Sequence, residues 1–317
     1  MNTYQKVLKL LKKAKTVLII SHVDPDGDSI GSALALERLL SKLKIKSTLI
    51  SVDGVPKVYR FLPGANRFKK IIPRKICDLA ITIDCGDLKR VGPFDLKKVT
   101  KIIVNIDHHP DNTLFGQINL AEPISATAEH IYRLAKLAQI KIDKEMATDL
   151  YTAIITDTGN FRYDNTTPEI LEAAADLVKS GAKPDRIAHQ VYETKTPSAL
   201  KILGMALAGI EKSKDGKVAW TVITQDMIKK ASSSDDELSG LVDYLRSIRG
   251  VEVAVLIHEN RNGKVKINLR SKEKVNVSEI ARKLGGGGHI RAAGAILEGK
   301  PEEVKKKVLD TVLRLKF

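Results

Sequence analysis

Residues 17–32 read VLIISHVDPDGDSIGS, and this stretch decides the fold. Val17 to Ile20, aliphatic and mostly β-branched, predict a strand. The apolar run stops at His22, and Asp24, Asp26 and Asp28 follow before an amphipathic helix begins. In an open α/β sheet, ligands collect where strands end and helices begin, so this loop is the first place to look for chemistry. One imidazole and three carboxylates on one short loop repel one another and lose hydration. A divalent cation neutralises such a set most economically.

Working outward, Ile30, Ala33, Leu34, Leu40 and Leu43 recur at helical spacing over 29–43, and a strand is expected over 47–52. The three form a βαβ unit, which implies parallel strands. Two further strands, over 78–85 and 101–107, end in Asp84 and in Asp107, His108 and His109. Helices are expected over 125–138 and 144–155, the second running into Asp157, and over 166–179, where Thr166, Pro168 and Glu169 mark a start. Two more helices open near Asp185 and Pro197.

From Lys217 the pattern changes to a strand over 218–223, a helix over 237–248 and a hairpin pairing 251–258 with 264–270 across Asn262 and Gly263. A short helix over 277–284, the run GGGGHIRAAG over 285–294, a strand near Ala295 and a helix opened by Pro301 complete the chain. The expected fold class is α/β: an N-terminal domain with a mostly parallel sheet and flanking helices over 1–190, a helical linker over 191–214, and a smaller C-terminal α/β domain over 215–317.

The 317 residues are too many for one core and suggest two domains. With 43% hydrophobic and 29% charged residues the chain is not disordered, and its apolar segments are too short to span a bilayer, so no membrane partner and a cytoplasmic location are expected. Two cysteines, Cys77 and Cys85, indicate neither a disulfide framework nor a thiolate metal site. A formal net charge of +15 favours a polyanionic partner, although lysines scattered over exposed helices would also produce it. Aromatics are 4% of residues, which argues against a long base-stacking platform.

The alternating acids of DPDGD could suggest a calcium loop, but Ser29 and Ala35 stand where that loop needs glycine and glutamate. What survives is a set spread over four segments: His22, Asp26 and Asp28; Asp84; Asp107, His108 and His109; and Asp157. Mixed imidazole and carboxylate donors in this number suit Mn²⁺ or Mg²⁺ and can bridge two ions. Paired ions of this kind serve phosphoryl displacement. Any one acid alone could be a helix cap or turn residue. All four segments ending at the same sheet edge by chance is a far weaker explanation.

HVDPDGDSIGS, VTKIIVNIDHHPDN, SATAEHIY and TDTGNFRYDNTTPE, in that order, resemble the motifs of the DHH phosphoesterase family, and GGGGHIRAAG resembles the loop that defines its DHHA1 C-terminal domain. The resemblance covers nearly the whole chain. It implies metal ligation by His22, Asp26, Asp28, Asp84, His108 and Asp157, with Asp84 as the bridging carboxylate and Asp24 outside the set. It further implies that His109 faces the scissile phosphate, that Asp107 orients its neighbours, and that two Mn²⁺ ions are held, with Mg²⁺ as the alternative.

The glycine run has a physical reading of its own: backbone N–H groups of Gly286, Gly287 and Gly288 could cradle a phosphate beside His289 and Arg291. By resemblance Arg270 and Ser271 join this loop in substrate binding, and Arg162 could lean toward the same anion. The family type implied is a compact hydrolase that degrades short oligoribonucleotides to mononucleotides and removes a phosphate from 3′-phosphoadenosine 5′-phosphate (pAp). Its partner would be short RNA or a nucleotide, and a homo-oligomer is compatible with the chain. Alternatives are a phosphodiesterase for linear or cyclic dinucleotides (pApA, pGpG, c-di-AMP) and a nucleic-acid-binding protein without turnover.

Overall fold

Helix α1 (Thr3–Lys13) leads into strand β1 (Thr16–Ser21), helix α2 (Gly27–Lys42) and strand β2 (Lys46–Ile50). Strands β3 (Leu79–Ile83), β4 (Ile103–Asp107) and β5 (Ile118–Ala121) complete a five-stranded sheet ordered β2-β1-β3-β4-β5, parallel throughout. Val17 and Ile19 of β1 face a core built with α2 and the later helices, whereas Leu18 and Ile20 pack with Ile50, Cys85, Val91 and Leu96 on the other face. Burial on both faces explains why β1 is an unbroken apolar run, as parallel strands usually are. Helices α3 (Thr127–Leu137), α4 (Lys144–Asp157), α5 (Pro168–Lys179) and α6 (Pro184–Tyr192) follow. This computed structural model describes residues 1–73, 75–260, 263–288 and 290–314, and the chain divides into two compact units between Thr194 and Lys195.

The second unit opens with α7 (Pro197–Ala208), which lies in the stretch expected to link domains and here buries Ile202 and Ala206 against Ile228, Leu241 and Leu245. It continues through β6 (Glu211–Lys212), β7 (Val218–Ile223), α8 (Gln225–Lys230), α9 (Leu241–Ser247), β8 (Val253–Glu259), β9 (Val265–Ser271), α10 (Val277–Lys283), β10 (Gly287–Gly288), β11 (Ala292–Leu297) and α11 (Pro301–Val312). The strands form a mixed sheet, β10-β11-β9-β8-β7-β6, in which β7 and β8 are parallel and the other pairs antiparallel. Val253, Val255 and Ile257 of β8 face one core while Ala254 and Leu256 face the other, so this sheet too is covered on both sides.

Some elements differ from the sequence reading, the short β6 and α8 among them. Strand β5 was not expected, because its four residues, INLA, are too few to show a period. The helix expected over 237–248 is interrupted at Gly240, whose φ of 81° belongs to the left-handed region, so a 3-10 turn (Asp235–Leu238) precedes α9. Asn262, on which the hairpin turn was placed, lies outside the described residues. Among the described residues no helix is long and apolar enough to cross a membrane.

Candidate metal centre

The parallel register brings the strand-end residues together. Ser21 lies opposite Ile83 and Ile83 opposite Ile106, so His22, Asp84 and Asp107 follow side by side at one sheet edge. The backbone of Asp84 is tied by its N–H to the Ile106 carbonyl at 2.9 Å, and its φ of 57° is left-handed. Such a conformation is costly for a residue with a β-carbon and persists only where the surroundings impose it.

Two helices deliver the remaining acids. Asp26 caps α2 by accepting from Ser29 N at 3.0 Å, and Asp28 stands in its first turn. Asp157 is the last residue of α4, and the two helices pack closely because α2 carries glycine at 27 and 31. A β-carbon at Gly31 would lie 2.5 Å from the Asp149 carbonyl oxygen, and one at Gly27 would lie 2.4 Å from Thr156 Oγ1. This close approach sets the end of α4 beside the start of α2. Helix α3 points its N-terminus at the same place: Thr127 N and Ala128 N donate to Asp28 at 2.6 and 3.0 Å, and Ser32 Oγ donates at 2.9 Å. Free amides at a helix start favour a negative charge there. Thr127 Oγ1 also donates to Asp84 Oδ1 at 3.1 Å.

The imidazoles are oriented by their far nitrogens. His22 Nδ1 lies 2.7 Å from the Val23 carbonyl and His108 Nδ1 lies 3.1 Å from the Ile124 carbonyl, so each Nδ1 carries the donated proton and each Nε2 turns to the acids. His22 Nε2 stands 3.3 Å from Asp84 Oδ2 and 3.8 Å from Asp26 Oδ1. His108 Nε2 stands 3.5 Å from Asp84 Oδ1, 3.8 Å from Asp157 Oδ2 and 3.9 Å from Asp28 Oδ2. His109 is held differently: its Nδ1 donates to Asp107 Oδ1 at 2.7 Å. Asp107, fully buried, takes a second hydrogen bond from Asn112 through its other oxygen.

Crowded buried acids perturb one another. Burial, then the charges of Asp84 and Asp157, push the Asp28 carboxyl well above its ordinary range. Burial raises Asp157 to about 7, against the pull of His108. Asp84 goes the other way: burial would raise it, but the close approach of His22 and the charges of the three imidazoles hold it well below. Burial alone would lower both histidines, yet Asp26 and Asp84 raise His22 to about 9, and Asp157, Asp84 and Asp28 raise His108 to about 10. The cluster therefore gathers positive charge from whatever source it can.

The donor chemistry fits divalent metal. His22, Asp26 and Asp84 each offer one donor atom within 4.8 Å of the others, and so do Asp28, His108 and Asp157, as well as Asp84, His108 and His109. Buried His22 Nε2 makes no hydrogen bond among the described residues, as expected of a nitrogen reserved for a ligand. Carboxylate with some imidazole suits Mn²⁺ or Mg²⁺ better than a thiol-seeking ion. All six residues expected to ligate metal thus converge, whereas Asp24 is exposed and uses its N–H on Asp53 Oδ2 at 2.7 Å.

In the second unit, Arg270, Ser271 and Arg291 gather at one end of the β9–β11 pair, where Arg270 lies opposite Ala292 and Ser271 N donates to the Arg291 carbonyl at 3.0 Å. Ser271, expected to touch substrate, is fully buried and donates its hydroxyl to the Val275 carbonyl at 2.6 Å, so here it shapes the turn. Arg291 Nη1 donates to that same carbonyl at 3.1 Å, and Arg270 Nε lies 3.5 Å from Asp243 Oδ1. Within the glycine run, a β-carbon at Gly286 or Gly288 would strike the backbone of β11, at 2.0 Å from the Gly294 oxygen and 2.6 Å from the Ala292 oxygen. Close strand pairing therefore accounts for those two glycines, while Gly287 faces open space. His289 lies outside the described residues. Arg162, in the first unit, is exposed and donates from Nε to the Gly159 carbonyl at 2.6 Å.

Besides Ser32 and Asn112, three contributors lie outside the residues the sequence pointed to. Thr127 touches Asp84, Asn165 Nδ2 donates to Asp157 Oδ2 at 3.0 Å, and Arg90 Nη1 lies 3.2 Å from His109 Nε2. Thr127 and Asn165 sit inside motifs already singled out, SATAEHIY and TDTGNFRYDN. Arg90 follows Asp84 by six residues in a stretch without a period, and only the tertiary fold turns it inward.

A largely buried set of imidazole and carboxylate donors at the carboxyl edge of a parallel sheet, followed by a separate mixed α/β unit, defines the class, and the chain belongs to the DHH family. The pattern of the DHH family, N-terminal domain, matches residues 16–154, and that of the DHHA1 domain matches residues 215–315. The chain is similar to the bifunctional oligoribonuclease and PAP phosphatase NrnA of Thermus thermophilus, with 34% identity over 313 residues, covering 96% of this chain and 92% of the relative. A solved exopolyphosphatase-related protein from Bacteroides fragilis superposes with a TM-score of 0.87 at 28% identity, covering 98% and 97% of the two chains. RecJ from Thermus thermophilus in complex with Mn²⁺ shares the fold, with a TM-score of 0.57 at 13% identity, over 100% of this chain and 55% of RecJ.

Proposed function

We propose that this chain is a metal-dependent phosphoesterase that hydrolyses short oligoribonucleotides to mononucleotides and dephosphorylates pAp. The observation that carries the reading is the position of Asp84, whose two oxygens face different imidazoles, Oδ2 toward His22 at 3.3 Å and Oδ1 toward His108 at 3.5 Å. One carboxylate shared by two donor sets is what a dinuclear centre needs. His22, Asp26 and Asp84 would hold one ion and Asp28, Asp84, His108 and Asp157 the other. Asp26, Asp28, Asp84 and Asp157 together offer the negative charge that two divalent cations cancel, and Mn²⁺ suits their mixture with imidazole. Bound ions of this kind lower the pKa of a water and neutralise charge on phosphoryl oxygens during in-line displacement.

The chain's own residues do the rest. Asp107 holds His109 with its proton on Nδ1, which leaves Nε2 as the nitrogen able to meet a phosphate group. Asp28 is fixed by Thr127, Ala128 and Ser32, and Asp157 by Asn165, so the donors are positioned before any ligand arrives. Arg270, Arg291 and the Gly286 to Gly288 run, with His289, would take up the nucleotide, Ser271 shaping their turn, and Arg162 would add charge on the catalytic unit. The Thermus thermophilus relative, a bifunctional oligoribonuclease and PAP phosphatase, supports the substrate class.

Turnover of a labelled diribonucleotide, a longer RNA and pAp with Mn²⁺ or Mg²⁺ tests the reading. Hydrolysis of the diribonucleotide and pAp, lost in Asp84→Ala, is expected. RNA binding without hydrolysis by the wild-type chain would overturn it in favour of a binding protein.

A further inference from the structure

Arg90 sits on the 3-10 turn Leu88–Val91, and its main chain is tied on both sides: its N–H donates to the Asp87 carbonyl at 3.0 Å, and its carbonyl accepts from Val23 N at 2.7 Å. The second bond fastens the turn to the loop that carries His22. The guanidinium reaches the cluster, with Nη1 3.2 Å from His109 Nε2 and Nη2 3.1 Å from His22 Nδ1. His22 Nδ1 already gives its proton to the Val23 carbonyl, so Nη2 gains no acceptor there. His109 Nε2 does accept, because the proton of that ring is on the nitrogen bonded to Asp107.

A guanidinium carries five N–H donors in a planar fork and stays charged at any ordinary pH. Among the described residues Arg90 has no carboxylate partner, although four carboxylates lie in the adjacent cluster; its side-chain contacts are the rings of His109 and His22. A cation in such a place is an unfilled half of a charge-assisted pair, and its natural complement is a carboxylate or phosphate. Arg162, the arginine expected to do this from the sequence, is exposed and turned to its own loop carbonyl.

We infer that Arg90 is an anion-binding residue of this site, donating its guanidinium N–H groups to a non-bridging oxygen of the phosphate that enters beside His22 and His109. The inference rests on the reading that the site takes phosphate esters. When Nη1 turns from His109 to the phosphate, His109 Nε2 is released to face the substrate, so one movement readies both groups.

The test measures binding, without turnover. Inorganic phosphate is titrated calorimetrically into Mn²⁺-loaded wild-type protein, Arg90→Ala and Arg90→Lys, and Mn²⁺ affinity is measured separately by electron paramagnetic resonance. Arg90→Ala should weaken phosphate at least ~10-fold, the usual worth of a hydrogen bond to a charged group, and Arg90→Lys should recover part of it. Mn²⁺ affinity should not change. Equal phosphate affinity in all three proteins, no phosphate binding by wild type, or a parallel loss of Mn²⁺ affinity would each overturn the assignment. If Arg90→Ala does not fold, Arg90→Gln carries the same comparison. A wild-type chain that binds phosphate through Arg90 yet hydrolyses neither RNA nor pAp would refute the proposed function and leave this inference standing.

Discussion

Replacing Gly31 by alanine sets two effects of known size against each other. In a helix interior alanine is favoured over glycine by ~1 kcal/mol. Here the added carbon would lie 2.5 Å from the Asp149 carbonyl oxygen and 2.9 Å from the Ala153 β-carbon. The carbonyl belongs to the backbone of α4 and has no rotamer to escape into, so the helices must part, at the ~1–3 kcal/mol typical of an overfilled core. Steric strain should win, and Gly31→Ala should lower stability by ~1–2 kcal/mol in urea denaturation of the metal-free protein with an unchanged slope. Because the same movement carries Asp157 away from Asp28, Mn²⁺ affinity should fall as well. Gly204→Ala is the control: Gly204 is exposed on α7 with nothing within 4 Å, so only the helix preference acts and the protein should gain stability. A Gly31→Ala protein as stable as wild type, with Mn²⁺ affinity intact, would refute the claim that this glycine contact sets the site.

Asn165→Ala removes the donor to Asp157 and should reduce Mn²⁺ affinity ~10-fold or more, as loss of a partner to a metal ligand commonly does; calorimetric titration reads it. Buried His130 lies with Nδ1 2.7 Å from the Tyr4 hydroxyl and Nε2 3.0 Å from the Asp107 carbonyl, and burial pushes it down to about 4. A histidine depressed from 6.5 is neutral in the fold and protonated when unfolded, so its contribution is whole above about pH 6.5 and is lost as pH falls toward 4. Between pH 7 and pH 5 the loss is on the order of 2 kcal/mol, and urea melts of His130→Gln should show a correspondingly flatter pH dependence. Chelation should lower the melting temperature and added Mn²⁺ should raise it in a concentration-dependent way, an effect that scanning calorimetry should find abolished in Asp84→Ala.

The sequence carries much of this design in places where local chemistry is uncompromised. Strands β1, β3 and β4 are apolar runs that end in an acid or an imidazole, and that change of character is visible without coordinates. The six expected ligands could be named because each sits at such an end or in a recognisable motif. Arg90 could not, since its turn becomes part of the site only when Val23 N binds its carbonyl across the chain. Gly27 and Gly31 carry no local signal, because their work is steric and depends on α4, more than a hundred positions away. The glycine run was read as an anion cradle, whereas two of its members answer first to strand pairing. Short elements such as β5 and α8 take their form from packing, and four to six residues hold no period to read.

The most direct measurement counts Mn²⁺ ions bound per chain at equilibrium in wild type and in Asp84→Ala. Joint ligation through Asp84 requires two ions in wild type and loss of tight binding at both positions in the variant. A single ion in wild type, or two that persist unchanged without Asp84, would contradict it.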